Sequence, residues 1–208
     1  AGNLAIGLSY ATSLTDKFSI GGNIKMIRES IASNHASGFA IDIGTLFDTP
    51  FGFRLGTSIS NFGPKMNMSG DDLIVPVDIS ENIEGNNENT TGIISTDHYD
   101  LPLLLRVGIS GTKLITNIGG LVWAIDSGHP NDNNSFINTG LELNLLKNLL
   151  SLRTGYRSLY LNDRVSEYSF GVGLNLNNII KRPIHIDYSF ESLKFLGTTQ
   201  QIGLRIKL

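Results

Sequence analysis

Residues 184–191 read IHIDYSFE, and residues 201–208 read QIGLRIKL. In the first, Ile184, Ile186, Tyr188 and Phe190 alternate with His185, Asp187, Ser189 and Glu191. In the second, Ile202, Leu204, Ile206 and Leu208 alternate with Gln201, Gly203, Arg205 and Lys207. Side chains along a strand point to opposite faces in turn, so this period of two describes ribbons with one apolar and one polar face.

The same rule holds outward from these two segments. Tyr168, Phe170, Val172 and Leu174 oppose Ser169, Gly171, Gly173 and Asn175, and Leu152 and Tyr156 oppose Arg153, Gly155 and Arg157. Leu141 and Leu143 oppose Glu142 and Asn144, Leu121, Trp123 and Ile125 continue the pattern, and Leu105, Val107 and Ile109 oppose Arg106, Gly108 and Ser110. Nearer the start, Leu55 and Ile59 oppose Arg54 and Ser58, Phe39, Ile41 and Ile43 oppose Ala40 and Asp42, Ile20, Ile24 and Met26 oppose Asn23 and Lys25, and Leu4, Ile6, Leu8 and Tyr10 oppose Ala5, Gly7 and Ser9. The leucine-rich stretch LELNLLKNLLSL (141–152) fits a helix as well, and is read as two strands joined by a tight turn at Leu146–Asn148.

The pattern gives about eleven strands of roughly 10 to 14 residues, long for globular sheets and close to what crosses a tilted bilayer. Gly, Ser, Asn and full charges on one face cannot line a dry core. The expected fold is therefore all-β, an antiparallel transmembrane β-barrel with apolar side chains toward lipid and polar ones toward the lumen. A soluble β-sandwich binding module is the competing architecture, and it requires protein to bury the Leu/Ile/Phe face.

Composition narrows the function classes. Charged residues are 17% of the 208 against roughly 25% in ordinary soluble domains, and no apolar run is long enough for a membrane helix. The absence of cysteine excludes disulfides and thiolate chemistry. A net charge of -3 without a basic cluster argues against nucleic acid as a partner. The chain opens AGNLAIGLSY without a signal-peptide pattern, so any secretory signal is expected upstream.

The connections alternate in length. TDK (15–17), DTP (48–50), TKLITN (112–117), LKN (146–148) and NNIIKRP (177–183) read as compact periplasmic turns. SNHAS (33–37), the insert from Gly63, SGHPNDNNS (127–135), LNDRV (161–165) and SLKFLGT (192–198) read as longer extracellular loops. Bacterial single-chain barrels have an even strand number, so eleven strands predict missing strands before Ala1 within a single barrel domain covering 1–208. The acidic insert 63–100 carries Asp71, Asp72, Asp78, Glu81, Glu84, Glu88, Asp97 and Asp100 against Lys65. Its composition suits a solvated loop. The sharper alternatives are a lid, a calcium cluster that matches no defined ligand spacing, or a docking element on Asp71, Asp72, Leu73, Ile74, Val75, Pro76, Val77 and Asp78.

Two strings carry a resemblance: SYATSLTDKFSIGGNIKMIRES (9–30) and GFAIDIGTLFDTPFGFRLGTSISNFGPKMNMSGDDL (38–73). The LTD-x-F turn with its Gly-Gly strand, the Lys25–Glu29 stretch, D-x-G-T at Asp42–Thr45 and S-I-S-N-F-G at Ser58–Gly63 resemble the PorV/PorQ family of bacterial outer-membrane proteins, relatives of FadL-like transporters. That resemblance implies a fourteen-stranded barrel in the outer membrane. It also implies a non-enzymatic role in type IX protein secretion, with partners among outer-membrane lipid, secretion-system proteins and cargo C-terminal domains. The alternative within the same fold is a FadL-like channel for hydrophobic small molecules.

The residues themselves offer little catalytic chemistry. His35, His98, His129 and His185 are dispersed, so no metal or cofactor is expected. No G-x-S-x-G elbow occurs, and side chains two apart on a strand, as in His185, Asp187 and Ser189, stand roughly 7 Å apart, too far for a triad. Instead Asp42, Arg54, Arg106, Asp126, Glu142, Arg153, Arg157, His185, Asp187, Glu191, Arg205 and Lys207 are expected to form an ion-pair network in the lumen. Tyr10, Trp123, Tyr156, Tyr160 and Tyr168 are expected in interfacial aromatic belts.

Overall fold

The computed structural model describes residues 1–77, 90–115, 119–159, 161, 166–177, 184–194 and 197–206. Eleven long strands carry the fold: β1 (Gly2–Ser13), β2 (Phe18–Ile31), β3 (Asn34–Asp48), β4 (Phe53–Phe62), β8 (Leu104–Ile115), β9 (Gly119–Pro130), β10 (Phe136–Leu145), β11 (Leu150–Leu159), β12 (Ser166–Asn175), β13 (Ile184–Leu193) and β14 (Gly197–Ile206). Three short ones, β5 (Ser69–Gly70), β6 (Ile74–Pro76) and β7 (Thr91–Ile93), lie in the insert. The architecture is all-β, with one large antiparallel sheet.

The long strands pair in chain order, β1-β2-β3-β4-β8-β9-β10-β11-β12-β13-β14, while β5 adds to β3 and β6 pairs with β7. Consecutive hairpins explain this order, because each strand meets its sequence neighbour before any other. β1 and β14 end the order and do not pair with each other among the described residues, so the expected closure is not part of this pairing.

The turns follow from local chemistry. At the β2–β3 hairpin the two residues between strands are Ala32 and Ser33, with Ala32 at φ 51, the left-handed conformation that tight hairpins need. Leu146, Lys147 and Asn148 take φ of 52, 57 and 66, so the leucine-rich stretch turns sharply between β10 and β11 and is not a helix. Several expected connections are shorter than their sequence suggests, SLKFLGT among them because β13 runs to Leu193 and β14 starts at Gly197. Thr112–Ile115 continue β8, paired with Val122–Gly119 of β9, since β-branched Thr112 and Ile115 suit a strand as well as a turn. SNHAS mostly belongs to β3, and SGHPNDNNS shrinks to residues 131–135 because β9 runs to Pro130.

The chain packs as two compact units. In the first (Ala1–Thr12, Gly21–Gly44, Ile59–Leu103), β2 alternates strictly: Ile20 belongs outside this unit, but Gly22, Ile24, Met26 and Arg28 are exposed while Gly21, Asn23, Lys25, Ile27 and Glu29 are partly covered. The second unit (Ser13–Ile20, Thr45–Ser58, Leu104–Leu208) contains the ladder from β8 to β14. Its apolar side chains are largely uncovered, as at Val107, Leu141, Phe170, Leu174, Ile202 and Leu204.

Burial is scarce. Among the described residues only Ala36, Ala40, Met66 and Leu101 form a buried apolar core. The chain exposes 15129 Å², whereas a compact soluble monomer of this mass would expose about 9,500 Å². Many apolar side chains of the described strands are left uncovered, whereas a β-sandwich would bury that face against a second sheet.

Candidate functional site

Most of the charged side chains that the alternation places on the polar face pair across strands. In the first unit, Asp42 of β3 accepts from Lys25 Nζ at 2.8 Å, from Asn23 Nδ2 at 2.9 Å and from the Asn61 backbone N–H at 2.7 Å. Asn61 has φ 62, which turns its N–H toward that carboxylate, and its side-chain amide donates to Pro102 O. Lys25 was not among the expected network residues, although its parity on β2 places it beside Asn23.

In the second unit the network is longer. Arg54 donates to Asp48, at 2.6 Å from Nε, across the β3–β4 hairpin. Asp48 was also missed, because the reading placed it in a turn. Arg106 stands 3.9 Å from Asp126, which accepts from Asn138 Nδ2 at 3.1 Å. Asn138 Oδ1 in turn accepts the Ser158 N–H at 3.0 Å. Ser158 is the extra residue of a bulge, since the β10–β11 register shifts between Ile137 and Thr139, and its φ of 54 aims the N–H at Asn138.

Arg153 of β11 holds two carboxylates at once. Its Nε lies 2.6 Å from Glu142 on β10, and a terminal nitrogen lies 2.6 Å from Asp187 on β13. Reaching β13 means lying flat across β12, and glycine makes the passage. A Cβ at Gly173 would come within 2.8 Å of Asp187 Oδ1 and 3.2 Å of both Arg153 terminal nitrogens. Arg157 makes a parallel bridge to Glu191 at 3.1 Å. Between the two bridges is an open cavity of about 330 Å³ that also touches Ser169 and Gln201. His185 and Arg205 face each other in the β13–β14 register and join none of the ion pairs among the described residues. Lys207 lies outside the described residues.

Asp187 is engaged by Arg153, so it does not orient His185 toward Ser189. No group of three His, Asp or Glu able to hold a metal occurs among the described residues.

The described parts of the insert, residues 63–77 and 90–100, depart from a simple solvated loop. Met66 and Tyr99 exchange backbone hydrogen bonds of 2.9 and 2.8 Å, and Met66 and Leu101 pack on Ala36 and Ala40. The Tyr99 hydroxyl donates to Glu29 at 2.8 Å. Burial, together with the Glu29 carboxylate, pushes the Tyr99 phenol up to about 12. Of the expected docking residues, Asp71, Asp72 and Leu73 form a single helical turn, Ile74, Val75 and Pro76 are β6, and Val77 N–H donates to Thr90 O. Asp72 also accepts from the Ser33 N–H at 3.0 Å. Asp78 lies outside the described residues. Among the aromatics, Tyr10 and Tyr168 are exposed, Trp123 lies over Gly111 of β8, Tyr156 is half-buried in β11 and Tyr160 lies outside the described residues.

Compared with known proteins, the chain matches no family model and no curated protein.

Proposed function

We propose that the chain is a non-enzymatic β-barrel protein of the bacterial outer membrane, acting in protein export by docking cargo or translocon partners. One observation carries the membrane part. The apolar faces of long antiparallel strands are left open to the surroundings while the charges of the opposite faces pair with one another. Hydrocarbon is the solvent that makes this arrangement favourable: each exposed Leu, Ile or Phe gains in lipid what water would cost it. The export part rests on the resemblance of residues 9–30 and 38–73 to the PorV/PorQ family. A FadL-like channel for hydrophobic molecules finds less support, because the face available to line a passage carries Lys25, Asp42, Arg153 and Asp187.

Fractionation and affinity capture test the proposal. The full chain is expected in the outer-membrane fraction, resistant to extraction without detergent, and to bring down secretion partners. Release by alkaline carbonate, or normal cargo export after deletion of the gene, would overturn it.

A further inference from the structure

We infer that the described parts of the insert, residues 64–77 and 90–103, form a strap that seats on the polar face of β2 and β3 and controls access to it. The inference rests on the membrane-barrel reading, because only there does the polar face line an interior.

On β3 the polar face presents Ala36, Gly38 and Ala40, an uncharged strip of small residues. The strap fills this strip. Met66 is 1% exposed, and a Cβ on Gly38 would meet its Cγ at 2.8 Å and its Sδ at 2.9 Å, so a larger residue there would unseat it. Leu101 and Ile27 complete the contact. Polar groups fix the register. Tyr99 donates to Glu29, β5 pairs with β3 through Asn34↔Gly70 and His35↔Ser69, and Thr96 Oγ1 donates to Met68 O at 2.6 Å to hold the strap's two limbs together.

Thus the buried apolar cluster of the described residues joins the insert to the polar face, not one strand to another. Both limbs continue directly into sheet strands, β4 before and β8 after, so lifting the strap gives up the short β5–β3 pairing while the order of the long strands is kept. Met66 is an unbranched, adaptable side chain suited to a contact that is made and broken.

The chain has no cysteine, so single introduced thiols report access cleanly. In the full chain reconstituted in phosphatidylcholine vesicles, a water-soluble methanethiosulfonate would be applied to Ala40→Cys under the strap. Ser169→Cys serves as the polar-face reference, and Ile24→Cys reports the apolar face. Ala40→Cys is expected to react at least about tenfold more slowly than the reference, and to approach it when Met66→Ser and Leu101→Ser are added. Ala36→Cys provides a second site should Ala40→Cys fold poorly. Equal rates at positions 40 and 169 with the strap intact would overturn the inference, as would a slow rate unchanged by the double substitution. Rapid labelling of Ile24→Cys would instead sink the membrane reading, while the position-40 rates would still judge the seating of the strap.

Discussion

Replacing Ile24 by arginine separates hydrocarbon from water by the sign of the effect. Ile24 is the seventh of the fourteen residues of β2 and is 63% exposed on the apolar face. If that face meets lipid at mid-depth, the guanidinium costs about 2 to 4 kcal/mol, or a roughly 30- to 700-fold fall in the folding equilibrium. If it meets water, the same change moves stability by no more than about 0.5 kcal/mol and improves solubility. The assay is urea-dependent folding into phospholipid vesicles, followed through Trp123, the single tryptophan. Asn23→Lys is the matched control on the opposite face, where an ammonium can take over the contact with Asp42. Its expected cost is under about 1 kcal/mol. An unchanged urea midpoint for Ile24→Arg, or equal costs for the two variants, would refute the face assignment.

Other outcomes follow from the polar face and the insert. Gly173→Val should displace Arg153 from Asp187 and lower stability by about 1 to 3 kcal/mol in the same titration, whereas Gly140→Ala, whose nearest neighbour is Thr154 O at 3.9 Å, should leave the midpoint unchanged. Asn138→Leu removes the acceptor for the Ser158 N–H and a donor to Asp126, with an expected loss of about 1 to 3 kcal/mol. The Tyr99 phenol should titrate near 12, read as the ultraviolet difference between the native chain and Tyr99→Phe. Because its pKa is raised in the fold, its contribution to stability is complete below about 10 and is lost as pH rises through 12. Glu29→Gln should lower that pKa only partway, since burial is the larger cause.

Strand identity was legible because it depends on a local rule. Ile184 to Glu191 and Leu141 to Asn144 announce their faces by alternation, and the positive φ of Leu146, Lys147 and Asn148 bears out the turn read there. Ion-pair partners are a matter of register, which single-strand patterns do not contain. Arg153 was identified, but that it reaches over β12 to Asp187 depends on glycine lying opposite it at Gly171 and on Gly173 beyond. Asp48 escaped notice because a residue at a strand end resembles a turn residue. The strap was the least legible element. Its acidic composition reads as solvated, Met66 has no periodicity to mark it, and Leu101, whose alternation with Leu103 and Leu105 reads as the start of a strand, lies before β8 and seats the strap.

The pairing pattern also bears on where an export function would reside. A pore selects ions when a ring of one charge sign is left uncompensated. Here Lys25 with Asp42, Arg54 with Asp48, and Arg153 between Glu142 and Asp187 compensate one another across strands. Such bridges link β10 to β11 and, over β12, β11 to β13. On the docking reading, recognition would fall to the insert: one part is tucked onto β3 through Met66 and β5, while β6 and β7 expose Ile74 and Ile93. On that reading, binding energy could be spent on lifting the strap while the cross-strand ion pairs stay in place.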